Sequence, residues 1–360
     1  MSNKLKAVDL LMLTVFFLSY IKLSAWAIFD LFFLGFYYKP KNQNDTMKAY
    51  FSGMISALLI VFLLWLCRFF PTYNLYREDG VLRYTFGFSH PNGLGRFCFL
   101  CCSIFVLMKR ININWKEITV IAIVAVFIYV FPNSGTSSIV IFLLAFACSV
   151  VKTLRLAKNH CLIEKKCVRI MGLSALPIMI VVQYVLMKKY IAGNSFVMNL
   201  PQTIISRLVL GIRGLKIYGI NLFGNNIEFT STVSSYFSTG NDHYFVLDSL
   251  FFFLPIRMGL IVTIFFVAAF FCFLIKFIRE YDYFKIVIAL LFLVYSLTEN
   301  GIMGNSAFLF SFLFITPSKP KQNITTLLNR YPQLASIIWK FRRKDGKNKY
   351  KKEFHVSDDI

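Results

Sequence analysis

Charge is scarce in this sequence. Of 360 residues, 16% are charged and 57% hydrophobic, whereas an ordinary soluble chain is about a quarter charged. That shortage excludes a water-soluble fold of this length and an intrinsically disordered chain. Eighteen glycines without a three-residue period exclude a collagen. Disulfide-framework logic fails as well: Cys67, Cys98, Cys101, Cys102, Cys148 and Cys272 lie inside apolar runs, where cysteine is a small packing residue. No paired-Cys zinc motif appears outside the membrane, and His160, Cys161 and Cys167 form a loose group with poor spacing for a metal. A phosphate-binding loop, a Gly-x-Ser-x-Gly elbow, a His-Glu-x-x-His helix and an Asp-x-Asp pair outside the membrane are all missing. The expectation is therefore a reaction without a metal or cofactor. Acids are few too, 17 against 39 Lys and Arg for a net charge of +22, and in an apolar chain the placement of that charge matters more than its sum. Nucleic acid is not the implied partner; the lipid bilayer is.

What the chain has in abundance is long hydrophobic runs, at roughly 7 to 38, 49 to 70, 93 to 108, 117 to 131, 136 to 151, 170 to 187, 246 to 275, 286 to 298 and 302 to 316. A spanning helix needs about 20 such residues. The connections around Lys4 and Lys6, Lys39 to Lys48, Lys109 to Lys116, Lys152 to Arg169, Lys276 to Lys285, and after Pro317 are Lys-rich, which places them in the cytoplasm. The alternate connections 71–92, 132–136, 188–245 and 299–301 then fall outside. Parity requires the run 7–38 to cross twice, turning near Lys22 to Ser24, for ten spans in all; a single long tilted helix would give nine. Ala25-Trp26-Ala27 resembles a signal-peptidase site, but the apolar run continues to Tyr38, so a retained anchor is expected. The predicted fold is an all-α polytopic helical bundle of about ten transmembrane helices. One integral domain covers 1–317, with outer loops 71–92 and 188–245, and a basic cytoplasmic tail covers 318–360. That tail carries eleven Lys and Arg against four acids, as a segment lying on anionic lipid would.

The identity of the basic residues changes with side. Inside, Lys outnumbers Arg by 21 to 7; outside, Arg68, Arg77, Arg83, Arg96, Arg207, Arg213 and Arg257 stand against Lys188, Lys189 and Lys216. Topology alone does not demand this exchange. A guanidinium grips phosphate through a planar fork of donors and tolerates partial desolvation, so the set points to an outward phosphate or diphosphate site. Pairing with lipid headgroups or with Glu78, Asp79 and Glu228 is the plainer alternative for any single arginine. Arg83 and Arg96 flank a segment in which Pro91 and Asn92 suit a turn and a helix N-cap, and Gly93 and Gly95 permit close backbone approach. A helix N-terminus there is an anion seat; alternatively it is a capped turn whose His90 bonds a carbonyl. Leu200 to Tyr218 interleaves Ile204, Ile205, Leu208, Leu210 and Leu215 with Arg207, Arg213 and Lys216, which predicts an amphipathic helix at the membrane surface. Tyr218 to Gly224 reads as a tight loop.

Ionised groups deep in a helix cost about 2.5–3.5 kcal/mol, so acids in apolar runs are functional candidates. Asp9, Asp30, Asp248 and Glu299 qualify by position. Asp248 is the strongest, having Arg257 and His243 close by in sequence, and with Arg257 it flanks an apolar segment broken by Pro255. For Glu299, at the outer end of its helix beside Asn300, solvation is the plainer alternative, and Asp9 and Asp30 read as structural.

Gly87-Phe88-Ser89-His90-Pro91-Asn92-Gly93-Leu94-Gly95 resembles the His-Pro-Asn stretch of Wzy-type polysaccharide polymerases of bacterial O-antigen and capsule assembly. Later features follow in similar order: the Ser-containing turn at 133–137, a large outer loop with Arg207, Tyr218-Gly219 and Phe223-Gly224, then Asp248-Ser249-Leu250-Phe251 ahead of Met258-Gly259. The resemblance spans roughly 83 to 305. Two departures are Ser134-Gly135-Thr136 where Ser-Arg-Thr is common, and Asp248-Ser249-Leu250-Phe251 where Asp-Asn-x-Tyr is common. The resemblance implies a lipid-dependent membrane glycosyltransferase joining repeat units carried on undecaprenyl diphosphate at the outer face of the bacterial cytoplasmic membrane. It also implies flippase and chain-length regulator proteins as partners. Arg207, Arg213, Arg83, Arg257 and Arg96 would then hold the diphosphate, and Asp248, His243 and His90 would supply acid–base chemistry. A flippase of the same lipid-linked oligosaccharides, a ligase to another acceptor, and an outer-face acyltransferase using His90 remain as alternatives.

Overall fold

The computed structural model describes residues 43–70, 75–76, 80–156, 166–229, 245–279 and 282–300. The hydrophobic runs 7–38 and 302–316, with Asp9, Lys22 and Asp30, the tail 318–360, and His160, Cys161 and His243 lie outside these residues. The described chain is mostly helical: α1 Gln43–Leu66, α2 Pro91–Lys109, α3 Trp115–Val130, α4 Gly135–Leu156, α5 Lys166–Ile191, α6 Ser195–Met198, α7 Gln202–Tyr218, α8 Leu250–Phe253, α9 Leu260–Arg279 and α10 Tyr283–Ser296. The short strands β1 Leu75–Tyr76 and β2 Leu82–Arg83 pair antiparallel, Leu75 opposite Arg83.

Five of these helices are long and apolar enough to cross a membrane, within α1, α2, α4, α5 and α9. Their outward faces carry Leu59, Leu63, Ile139, Phe142, Phe146, Ile178, Val181 and Ile264, all exposed. A contiguous apolar surface of that kind is at home in lipid rather than water. The expected spans at 117–131 and 286–298 are shorter helices, α3 and α10, of 16 and 14 residues. At 1.5 Å per residue they reach only about 24 and 21 Å, less than the ~30 Å hydrocarbon core. For α10 the reason is burial: Phe284, Ile288, Phe292, Leu293 and Tyr295 are enclosed by protein, and the helix packs on α4, α5 and α9.

Local chemistry sets the helix ends. Asn114 and Glu117 form a reciprocal capping box at the start of α3, at 2.8 Å in each direction. Asp282 caps α10 by accepting from the Lys285 amide at 3.3 Å. Lys285 is itself fully buried, 3.7 Å from Asp282, while Arg110 reaches the same carboxylate at 3.2 Å. This ionic knot ties the C-terminal end of α2 to the N-terminal end of α10.

The run 246–275 is not one helix; the break expected at Pro255 falls at Gly259, with Pro255 in the turn that precedes it. The run opens as an extended segment 245–249, forms α8, widens into a π-turn over Leu254–Met258, breaks at Gly259 and restarts as α9. Such a break strands backbone donors at the new N-terminus, and the loop after α7 satisfies them. The amides of Leu260 and Ile261 donate to the carbonyls of Asn221 (2.9 Å) and Leu222 (3.2 Å), and Asn225 Nδ2 donates to the Ile256 carbonyl at 2.8 Å. Arg257 belongs to this lock, its Nη1 donating at 2.9 Å to both the Asn225 carbonyl and Asn226 Oδ1. The lock depends on two glycines, Gly224 at φ +80 and Gly259 at φ +90. A Cβ on Gly259 would stand 2.3 Å from the Gly224 nitrogen.

Two hydrophobic cores result. One gathers α1 to α4, α9 and α10 around Phe99, Ile104, Leu107, Ile128, Leu144, Phe292 and Tyr295; the other gathers Val197, Leu208, Ile227, Phe245, Leu247, Phe252 and Ile256. Leu247 belongs to the second and Leu250 to the first, so Asp248 and Ser249 sit on the seam.

Gly259→Ala is expected to lower the apparent Tm in detergent sharply, by at least about 2 kcal/mol of stability, because clash and left-handed strain add. Gly135→Ala, whose Cβ would meet nothing within 4 Å, is expected to leave the Tm unchanged or slightly raised. Equal Tm values for the two variants would contradict the lock.

Candidate functional site

The seam opens at the end of the bundle where α2 begins and α10 stops. Arg83 arrives there on β2, and its backbone is pinned from both sides. The Tyr84 amide donates to the Phe131 carbonyl at 3.1 Å, and Phe86 packs edge-on against Trp65 (5.0 Å) and beside Phe127 (5.4 Å). With its strand fixed, Arg83 donates through Nε to the Pro132 carbonyl (3.1 Å) and through Nη2 to Asn92 Oδ1 (2.5 Å). A guanidinium only donates, so the Asn92 oxygen must face Arg83 and its NH2 must point the other way. That NH2 meets Glu299 Oε1 at 2.8 Å.

Helix α2 starts two residues earlier than the sequence reading placed it. His90, not Asn92, is the N-cap, accepting the Asn92 amide on Nδ1 at 3.1 Å, with Pro91 in the first turn. Asn92 is thereby freed to serve Glu299, and Arg96 stands one turn on, on the same face of α2. Of the two glycines singled out for close approach, Gly95 earns that reading: a Cβ there would stand 2.5 Å from Ser137 Oγ, whereas one on Gly93 would meet only Phe88 at 3.9 Å. Close seating of α2 on α4 lets the hydroxyls of Ser134, Ser137 and Tyr295 chain together at 2.9 and 2.8 Å beneath the site.

Arg207 enters from α7. Ile204, Leu208 and Leu215 turn toward the second core, and Arg207 beside them projects across the seam. Its Nη2 lies 3.5 Å from Asp248 Oδ2 and 4.0 Å from Glu299 Oε1, and its Nε donates to the Thr298 carbonyl at 3.4 Å. Asn300 Nδ2 donates to the Leu247 carbonyl, tying the end of α10 to the segment that carries Asp248. The Thr298 hydroxyl meets that of Thr136 at 3.2 Å, so the Ser-Gly-Thr turn also borders the site.

The electrostatics follow from burial. Glu299, for which solvation was the plainer reading, is buried. Desolvation first, and then the neighbouring Asp248 charge, push its carboxyl up to about 7, against the pull of Arg207, Arg96 and Arg83. The Asp248 carboxyl is also raised by burial, opposed by Arg207. His90 moves the opposite way, down to about 4, through burial and then the charges of Arg83, Arg96 and Arg207. It therefore stays neutral between pH 5 and 8, with Nδ1 committed to the cap. That suits His90 to hydrogen-bond donation from Nε2 and makes it a poor base. Three guanidiniums face at most two carboxylates, so the site carries net positive charge and offers an anion a prearranged seat.

Of the expected site residues, Arg83, Arg96, Arg207, His90 and Asp248 converge here. Arg213 and Arg257 do not join them: Arg213 lies over the Phe245 ring (5.9 Å) and Arg257 over Phe229 (5.7 Å), on a stack in which Phe229 bridges Phe245 and Phe253. Asp248 sits in an extended segment rather than deep in a helix. Asn92 and Asn300 were not among the expected site residues, and Glu299 qualified by position with solvation as its plainer reading. An acid followed by an amide at the end of an apolar run was the available signal. Among the described residues no group of three or more His, Cys, Asp or Glu could hold a metal ion.

Asn92→Ala removes the partner of both Arg83 and Glu299. It is expected to cost about 1–3 kcal/mol, read as a lower Tm in detergent; an unchanged Tm would argue against this bridge. Compared with protein-family models, with curated proteins and with solved structures, the chain finds no match in any of the three.

Proposed function

We propose that this chain is a membrane glycosyltransferase that polymerises undecaprenyl-diphosphate-linked oligosaccharide repeat units at the outer face of a bacterial cytoplasmic membrane. The observation that carries the reading is the convergence of Arg83, Arg96 and Arg207, carried on three different elements, on the buried Glu299 and the half-buried Asp248 at one end of the bundle. That end is opposite the one bearing Lys109, Arg110, Lys276 and Arg279, so the positive-inside rule puts the arginine site outside. About ten spans, with α7 lying at the outer surface within the loop 188–245, complete the topology. The His-Pro-Asn resemblance agrees with the same residues, since His90, Pro91 and Asn92 build the N-terminal wall of the site.

In the proposed reaction a hydroxyl of the incoming lipid-linked unit attacks the anomeric carbon of the growing chain. The bond to the lipid diphosphate breaks, and negative charge grows on the departing oxygen. Arg207, Arg96 and Arg83 offset that charge from positions already set before reaction, which favours the transition state over the ground state. His90 Nε2 and the α2 N-terminus add neutral donors on the same side. Asp248 holds Arg207 in place. Flippase and chain-length regulator proteins are the partners such an enzyme would meet.

Arg207→Ala is expected to lower kcat for elongation about 10²–10³-fold, and Arg207→Lys at least about tenfold, since it keeps the charge and loses the fork. Arg213→Lys is expected to stay close to the unsubstituted rate. The assay is elongation of lipid-linked oligosaccharide, extracted from the host lacking this chain, by purified protein in liposomes without an ion gradient. Full polymer length with Arg207→Lys, a requirement for a gradient, or cysteine labelling that places positions 83 and 207 in the cell interior would overturn the reading.

A further inference from the structure

We infer that Glu299 is the catalytic base of this coupling, its carboxylate taking the proton of the attacking sugar hydroxyl while Asn92 and Asp248 position it. The inference rests on the polymerase reading and assigns a role within the same site. Its ground is geometric. The hydrogen bond from Asn92 (2.8 Å) and the approach of Arg207 (4.0 Å) both fall on Oε1, which leaves Oε2 to accept from a hydroxyl. Asn92 cannot turn away, because Arg83 holds its oxygen at 2.5 Å. The side chain is thus oriented by a neutral amide, which fixes it without strongly drawing off its negative charge.

Asp248 is the rival acid, and its geometry suits a different task. It is the closer partner of Arg207, at 3.5 Å, and its side chain is 25% exposed against 10% for Glu299. A carboxylate engaged with a guanidinium is a weak base, whereas one held by an amide beside a second negative charge is a stronger one. The groups facing Glu299 are Arg83 from β2, Arg96 and Asn92 from α2, Arg207 from α7, Asp248 from the 245–249 segment and Tyr295 from the last turn of α10. Among them Asp248 pushes its proton affinity up and the three arginines pull it down, with burial dominant and the outcome about 7. That value matches what a base working near neutral pH needs.

The step balances. The hydroxyl oxygen forms the new bond to the anomeric carbon, its proton passes to Glu299, and the electron pair of the broken bond leaves with the lipid diphosphate beside the arginines. Glu299 then returns its proton to water. Activity should therefore fall as pH drops through about 7, since only the ionised carboxylate accepts. Removing the Asp248 charge lowers the proton affinity of Glu299, both directly and by freeing Arg207, so the acid limb should move to lower pH.

The test uses the liposome assay on the full chain, with elongation rates taken from pH 5 to 9. Glu299→Gln, which keeps an acceptor for Asn92, is expected to lose about 10²–10⁴-fold in rate at an unchanged Tm. Glu299→Asp should retain part of the activity together with an acid limb. Asp248→Asn should move that limb down by about one unit, a shift that a purely structural role for Glu299 would not produce. Glu299→Gln within about threefold of the unsubstituted rate, or an acid limb unmoved by Asp248→Asn, overturns the assignment and leaves the polymerase reading standing. Should Glu299→Gln fail to fold, Glu299→Asp and Asp248→Asn decide alone. No elongation by the unsubstituted protein sinks the polymerase reading and the assignment with it.

Discussion

One guanidinium joins three parts of this structure. Arg207 comes from α7, meets Asp248 on the extended segment before α8, and reaches both Glu299 and the Thr298 carbonyl at the end of α10. Removing it would leave Asp248 and Glu299 near each other without the one guanidinium that pairs with both, a costly arrangement. The two hydrophobic cores can each pack without Arg207. What they cannot do without it is meet along a seam that is both charged and closed.

That seam explains why the site is where it is. Apolar side chains drive each core together without direction, and the boundary between them is where polar groups can gather without breaking either. Leu247 and Leu250 anchor the segment in opposite cores, so the residues between are held at both ends. On the far side, the pinned Phe86 and the capped start of α2 present Arg83, His90 and Asn92 at fixed positions. The proposed chemistry thus occupies a place that, among the described residues, is built by packing.

Much of this was legible in the sequence, and the reasons for the rest are physical. Hydropathy located most of the described helices, and the exchange of Lys for Arg pointed to Arg83, Arg96 and Arg207, because charge type and run length are local properties. Hydropathy could not show that 246–275 breaks at Gly259. The donors stranded by that break are met by carbonyls of Asn221 and Leu222, far away in the chain. Glu299 looked solvated for the same reason: at the end of an apolar run an acid usually meets water, and only the arrival of Asn92 and Arg207 encloses it. Arg213 and Arg257 shared the composition signal of the others but point to an aromatic stack and to the loop lock, a distinction that residue type does not carry. His90 was weighed as a base, and burial, seconded by the arginines beside it, is what holds it neutral.

The facing glycines of the helix break have an evolutionary consequence. Gly224 has no room for a side chain because the backbone at Arg257 and Met258 fills it, and Gly259 has none because Gly224 and Leu222 do. A substitution at either position presses on the peptide that the other's loop presents, so the cheapest escape is a compensating change across the pair. In descendants of this chain the two sites should therefore drift as one unit, each preserving or releasing the other, even where the surrounding lipid-facing residues have been exchanged freely.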